Sequence, residues 1–352
     1  MNTGFHEMFM SRCLELASAA LGSTFPNPVV GSVIVHNGRI IGEGYHRKAG
    51  EAHAEVAAIE SVTDRSLLGE STLYVNLEPC SHHGRTPPCA DRIIAEGIRR
   101  VVCGTTDTSS KVAGRGFDKL RSAGCEVITG VLERESRAAN CRFFTFHEKG
   151  RPRVILKWAM SADGFIDTDR PPGSPVEPYW ITGLTERIFV HRWRATEQVI
   201  VAGGGTVRSD NPSLNVRYCD GRDPVKAILS RSGRLDPGSR IFGGERVLLF
   251  TKAKGVTYPG TEVVALRRPE SEVVEEMLQD LFQRGFQSVF VEGGKQVLDM
   301  FIASGCWDEA RVFRGLRDWG KGLPAPETGR VPSTVEMFEE SILEIVYNEH
   351  IR

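Results

Sequence analysis

Glu78-Pro79-Cys80-Ser81-His82-His83-Gly84-Arg85-Thr86-Pro87-Pro88-Cys89, taken with His53-Ala54-Glu55 upstream, carries most of what this sequence says about itself. Residues 72–77, just before it, form an apolar run of strand length. Residues 89–96, entered through Pro87-Pro88, read as a helix. His53-Ala54-Glu55 sits in a predicted helix over 52–60 that follows a pair of strands. His53, Cys80 and Cys89 therefore each fall at a junction of strand and helix. A catalytic zinc takes three nitrogen or sulfur ligands and keeps a fourth position for water. Glu55, two residues beyond His53, would stand beside the metal without ligating it, as a proton shuttle between water, ring nitrogen and leaving ammonia requires. The order H-x-E, then P-C and a second Cys, is that of zinc nucleobase deaminases. Here eight residues separate the cysteines instead of two. The competing readings are plain packing of a buried Cys pair and a structural zinc with His82 or His83 as fourth ligand.

Working outward, the first half alternates strands and helices. Phe9, Cys13, Leu16, Ala17 and Ala20 share one helical face, which residues 22–28 end. Residues 29–35 and 39–45 read as strands joined at Asn37-Gly38, a strong hairpin signal. Strands follow over 100–104 and 125–131, with a helix over 117–123 between them. The pattern predicts an α/β sandwich around a mixed sheet.

The polar stretch 147–153, with Gly150 and Pro152, reads as a linker between a domain over 1–148 and another over 153–352. The alternation then restarts, with strands over 154–159, 198–202, 224–229, 246–251 and 288–292. Helices are expected over 271–284 and 295–304. Residues 315–352, rich in Gly, Pro and charge, resist assignment. No G-x-G-x-x-G occurs, but Gly203-Gly204-Gly205 and Gly293-Gly294 follow strands, where bare backbone at a helix start can take a pyrophosphate.

Composition limits the function classes. The chain has 352 residues, long enough for two ordinary domains. Lys+Arg 44 against Asp+Glu 45 leaves a net charge of −1, with no basic run for nucleic acid. No apolar stretch approaches membrane-spanning length and no secretory layout opens the chain. Eight scattered cysteines suit a reducing cytoplasm. The expected partner is a small molecule, not nucleic acid or membrane, and a homo-oligomer stays open.

Several motifs together resemble the bifunctional deaminase/reductase family of riboflavin biosynthesis. In the first half they are Pro26-Asn27-Pro28-Val29-Val30-Gly31, Gly44-Tyr45-His46, His53-Ala54-Glu55, the segment 78–89 and Val112-Ala113-Gly114-Arg115-Gly116. In the second they are Lys157-Trp158-Ala159-Met160-Ser161-Ala162-Asp163-Gly164, Trp180-Ile181-Thr182, Thr206, Asp210-Asn211-Pro212-Ser213-Leu214, Arg217 and Val291-Glu292-Gly293-Gly294. The chain differs from the family pattern at Asp107-Thr108-Ser109-Ser110, Pro178-Tyr179, Leu229-Ser230 and 313–317. The resemblance implies a cytidine-deaminase-like fold followed by a dihydrofolate-reductase-like fold. It implies zinc on His53, Cys80 and Cys89, with Glu55 moving protons and Asn27, His46, His82 and Arg85 lining the pyrimidine phosphate pocket. For the reductase it implies NADPH, with Lys157, Asp163, Arg194, Leu214, Arg217 and Glu292 around the substrate and nicotinamide. Trp180, Thr206, Asp210, Arg231, Gly293 and Gly294 would hold the dinucleotide. Arg231, in Ser230-Arg231-Ser232-Gly233-Arg234, suits a 2′-phosphate.

Two rival readings are kept. One is a nucleic-acid base deaminase, against which the balanced charge counts. The other makes the second half a silent scaffold for dimerisation.

Overall fold

The computed structural model describes residues 3–81, 87–108, 114–169, 180–244 and 246–348. His82, Arg85, Val112, Ala113, Pro178 and Tyr179 lie outside the described residues. The chain divides into two compact units, Met1–Gly150 and Arg151–Arg352.

The first unit runs α1 (Thr3–Ser18), β1 (Gly31–His36), β2 (Arg39–Tyr45), α2 (Ala54–Ser61), β3 (Thr72–Leu77), α3 (Cys89–Ala95), β4 (Arg100–Thr105), α4 (Arg115–Ser122), β5 (Glu126–Ile128), α5 (Glu133–Ala139) and α6 (Cys141–Lys149). Its sheet has the order β2-β1-β3-β4-β5. β1 pairs antiparallel with β2 and β3, while β3, β4 and β5 are parallel. The hairpin turn is as the Asn37-Gly38 signal demands, with φ of 47° and 75°. Alternation divides the core: Leu73 and Val75 pack with Ile59 and Ile93 on one face, and Tyr74 packs with Phe9 and Cys13 on the other.

The expected linker is shorter than 147–153, because α6 continues to Lys149 and ends on Gly150 at φ 63°. Phe143 and Phe144 bury against Leu77, leaving His147, Glu148 and Lys149 exposed on the helix's outer face. That polar face imitated a linker. The strand expected over 125–131 is also shorter, Glu126–Ile128.

The second unit runs β6 (Arg153–Met160), β7 (Phe165–Asp167), α7 (Leu184–Thr196), β8 (Val199–Gly203), α8 (Gly204–Asp210), β9 (Val225–Leu229), β10 (Val247–Thr251), β11 (Thr261–Ala265), α9 (Val273–Gln283), β12 (Ser288–Val291), α10 (Lys295–Ser304), β13 (Glu309–Gly315), β14 (Leu323–Pro324), β15 (Thr334–Met337) and β16 (Ser341–Tyr347). Among the described residues its main sheet is β11-β10-β9-β8-β12-β6-β13-β16-β15. From β11 to β13 every pair is parallel. β16 returns antiparallel on β13, and β15 on β16. The segment after 315 is thus a sheet-closing hairpin, which its charge and glycine had hidden. Along β6, Val154, Leu156 and Trp158 face one core and Ile155 the other. Both faces of the parallel sheet are buried, so its strands read as near-continuous apolar runs.

Candidate active sites

β3 is buried along its whole length and delivers Glu78-Pro79-Cys80 at its end. α3 opens with Cys89, whose backbone N–H donates to the Cys80 sulfur at 3.3 Å. His53 is the residue before α2, and its side chain makes no cap hydrogen bond there. Its Nδ1 lies 3.5 Å from Cys80 Sγ and 3.3 Å from Cys89 Sγ. A tetrahedral ion with Zn–S of about 2.3 Å and Zn–N of about 2.05 Å separates the two donor types by about 3.5 Å. The three side chains fit zinc on that measure, with all donor atoms within 4.8 Å of one another. Hydrogen bonds from Cys89 and then His53 hold the Cys80 thiol well down, toward thiolate.

Glu55 lies in the first turn of α2, only 3% exposed. Burial, and after it the charge of Cys80, push its carboxyl up to about 7. His46 is buried alongside, its ring edge-on to His53 at 5.2 Å. His46 Nδ1 meets the Ala52 carbonyl at 3.0 Å, so that nitrogen carries the proton and donates. Nε2 then accepts from Asn27 Nδ2 at 3.0 Å. Burial keeps the ring neutral, and Asn27 is thereby oriented from behind.

Sequence reasoning overlooked Glu78. Its carboxylate accepts from the backbone N–H of Asp107, Gly114 and Gly116 at 3.2, 3.0 and 2.9 Å. One buried side chain thus ties both ends of the 107–116 connection to the strand carrying Cys80. The Glu-Pro-Cys spelling was the available signal, since a glutamate at a buried strand end needs partners.

In the second unit a cavity of about 1130 Å³ opens where β8, β9, β10 and β12 end. This is where an open parallel sheet binds ligands. Lys157, Trp180, Arg194, Thr206, Asp210, Arg217, Arg231, Glu292 and Gly294 all line it. Arg194 forks onto Glu292, Nε at 2.6 Å and Nη2 at 2.8 Å. Burial alone would raise the Glu292 carboxyl, but Arg194 and then Lys157 hold it down. Burial lowers the Lys157 ammonium, and Glu292 opposes that.

Bare backbone lets α8 and α10 start against the cavity. A Cβ on Gly293 would fall 2.3 Å from Ala202 Cα, and Gly294 has φ 46°. These close approaches, with Gly204 and Lys295 at the two helix starts lining the cavity, fit a dinucleotide pyrophosphate.

Three expected residues sit elsewhere. The Leu214 side chain is packed in the core at 5% exposure, with φ 52°, so only its backbone could meet a ligand. Gly293 lies behind Gly294, off the lining. Asp163 accepts from Ser161 Oγ at 2.6 Å and from the backbone of Trp319 and Gly320, which makes it the anchor of that turn. Conversely, His191 and Lys252 line the cavity and had not been singled out. His191 precedes Arg194 by one helical turn, a relation visible only once α7 is recognised.

A mixed sheet presenting one His and two Cys around a buried Glu defines a cytidine-deaminase-like unit. The parallel sheet with a cavity at its carboxyl edge adds a dihydrofolate-reductase-like unit. Residues 3–105 match the cytidine and deoxycytidylate deaminase zinc-binding region, and residues 152–315 match the RibD C-terminal domain. Riboflavin biosynthesis protein RibD of Aquifex aeolicus is 36% identical, over 95% of this chain and 92% of its own length. That of Escherichia coli is also 36% identical, over 87% and 86%. A diaminohydroxyphosphoribosylaminopyrimidine deaminase/5-amino-6-(5-phosphoribosylamino)uracil reductase from Thermotoga maritima is 40% identical, covers 98% of this chain and 99% of that one, and superposes with a TM-score of 0.88. The chain belongs to the RibD family, the bifunctional deaminase/reductases of riboflavin biosynthesis. Among the described residues no helix is long and apolar enough to cross a membrane.

Proposed function

We propose that the first unit hydrolytically removes the 2-amino group of 2,5-diamino-6-ribosylamino-4(3H)-pyrimidinone 5′-phosphate, and that the second reduces the ribosyl group of the product to ribityl with NADPH. The observation that carries this reading is the convergence of His53, Cys80 and Cys89 beside buried Glu55. His53, Cys80 and Cys89 would hold zinc, which when bound supplies Lewis acidity to a water molecule. Glu55 takes the proton released as water adds to the ring carbon and passes it on to the ring nitrogen and the departing ammonia. Asn27, oriented by His46, reads the base edge through its amide, and His82 and Arg85 complete the substrate pocket on the strength of the resemblance.

In the second unit Lys157, Arg194, Leu214 (through its backbone), Arg217 and Glu292 receive the sugar phosphate. Trp180, Thr206, Asp210, Arg231 and Gly294 hold the dinucleotide, whose nicotinamide supplies the hydride, and Gly293 serves by letting the backbone pack closely against Ala202 and Gly203. Arg231 meets the 2′-phosphate. Free thiols throughout the described chain favour a cytoplasmic setting.

The test uses the whole purified chain, with zinc quantified and ammonia release followed on the diaminopyrimidine phosphate. One zinc per chain is expected, with NADPH oxidised only after ammonia appears. Zinc-loaded protein that releases no ammonia overturns the reading.

A further inference from the structure

His191 belongs to no motif of the resemblance, yet its ring lines the second cavity between two arginines. The backbone N–H of Arg217 donates to its Nδ1 at 2.9 Å. A neutral imidazole has one acceptor nitrogen. With Nδ1 occupied, the proton resides on Nε2, which becomes a donor. Nε2 stands 3.5 Å from Nη1 of Arg194, also a donor. Arg194 Nη1 gives one proton to the Asn215 carbonyl at 3.1 Å, and its second remains on the His191 side. Arg217 Nη1 is braced by Ser213 Oγ at 2.6 Å and Asn215 Oδ1 at 2.5 Å. Two guanidinium groups and a neutral N–H thus share one corner, which suits an anion with several oxygens. Arg194, Arg217, Glu292 and Lys157 are the charged groups acting on the ring, and Tyr218 packs edge-on at 4.6 Å. Burial first, then the two arginines, hold the ring down to about 4, so it stays neutral at physiological pH.

We propose that His191 is a specificity-determining residue of the reductase site, its Nε2–H donating to a phosphate oxygen of the substrate between Arg194 and Arg217. The proposal rests on reading those two arginines as phosphate ligands.

The experiment compares reduction of the phosphorylated substrate and its dephosphorylated counterpart in wild type, His191→Phe, His191→Gln and Arg217→Leu. Loss of a hydrogen bond to a charged group corresponds to a KM rise of about 10- to 100-fold for His191→Phe. That rise is expected for the phosphorylated substrate alone. His191→Gln, which keeps an N–H donor, should stay near wild type. Long-range proton–nitrogen NMR on the wild-type chain gives a readout independent of activity and of any variant's folding. The ring should carry its proton on Nε2, and that signal should shift on adding inorganic phosphate. A proton on Nδ1, or equal KM effects on both substrates, overturns the role of His191 alone. Lack of discrimination by Arg217→Leu, together with no competition from inorganic phosphate, overturns the phosphate reading and the proposal with it.

Discussion

At the scale of single residues, burial decides what each charged group does. Among the described residues no Lys or Arg acts on the Glu55 carboxyl, and its buried place beside His53 suits a group that must take and give up a proton. Glu55→Gln should keep zinc and lose about 10²–10⁴-fold in ammonia release. Normal ammonia release by that variant would remove Glu55 from the mechanism. Glu309 shows the opposite arrangement. Burial pushes its carboxyl up, but Arg311 at 2.6 Å and Arg153 at 2.9 Å outweigh burial and hold it down to about 2. A carboxyl depressed on folding stabilises the native state above its unfolded pKa, and that stability is lost as pH falls toward the folded one. The window is therefore about pH 4.3 down to about 2, with about 3 kcal/mol at stake. Thermal melts between pH 5 and 3 should show the transition of the second unit falling, and Glu309→Gln should start lower and fall less. A Glu309→Gln melt with the wild-type slope would show that the acid sensitivity lies elsewhere.

At the scale of elements, close backbone approach sets the sites. Gly116, in the first turn of α4, would place an added Cβ 2.1 Å from the Pro79 carbonyl oxygen. Its N–H also donates to Glu78. Alanine there must displace either α4 or the end of β3, one residue from Cys80. Gly116→Ala is expected to weaken zinc retention against a chelator by at least tenfold, as a shifted ligand would. Wild-type retention would mean that the loop yields instead of the strand. Most strands, the first helix and the helices at 52–60, 89–96, 117–123, 271–284 and 295–304 were legible because their apolar periods are local. α7 and α8 were not, since α7 carries Arg187, His191 and Arg194 along a face that the cavity, not a core, explains.

For the whole molecule, the chain divides into two compact units after Gly150, and the two activities are expected to separate there. A fragment of residues 1–150 should fold and deaminate, because it carries its own buried apolar clusters. A soluble, zinc-loaded but inactive fragment would show that the second unit completes the site. In the full chain, Arg231→Ala should erase most of the preference for NADPH over NADH, chiefly through KM. An unchanged ratio would clear Arg231 of contact with the 2′-phosphate. How far these assignments could be read beforehand follows from where their information lies. The His-x-Glu and Pro-Cys spellings that mark His53, Cys80 and Cys89 as candidate zinc ligands, and the alternation of strand and helix, are each written within a few neighbouring residues, where turn chemistry and amphipathic burial act. The grip of Glu78 on the 107–116 ends, the tautomer of His191 and the retreat of Leu214 into the core join residues that only packing brings together. So does the closure of the second sheet by β16 against β13, a pairing of Glu309 with Tyr347 through Gly315 with Ser341. Long-range hydrogen bonds leave no periodic trace along a chain, and only the folded arrangement settles which partner each buried polar group obtains.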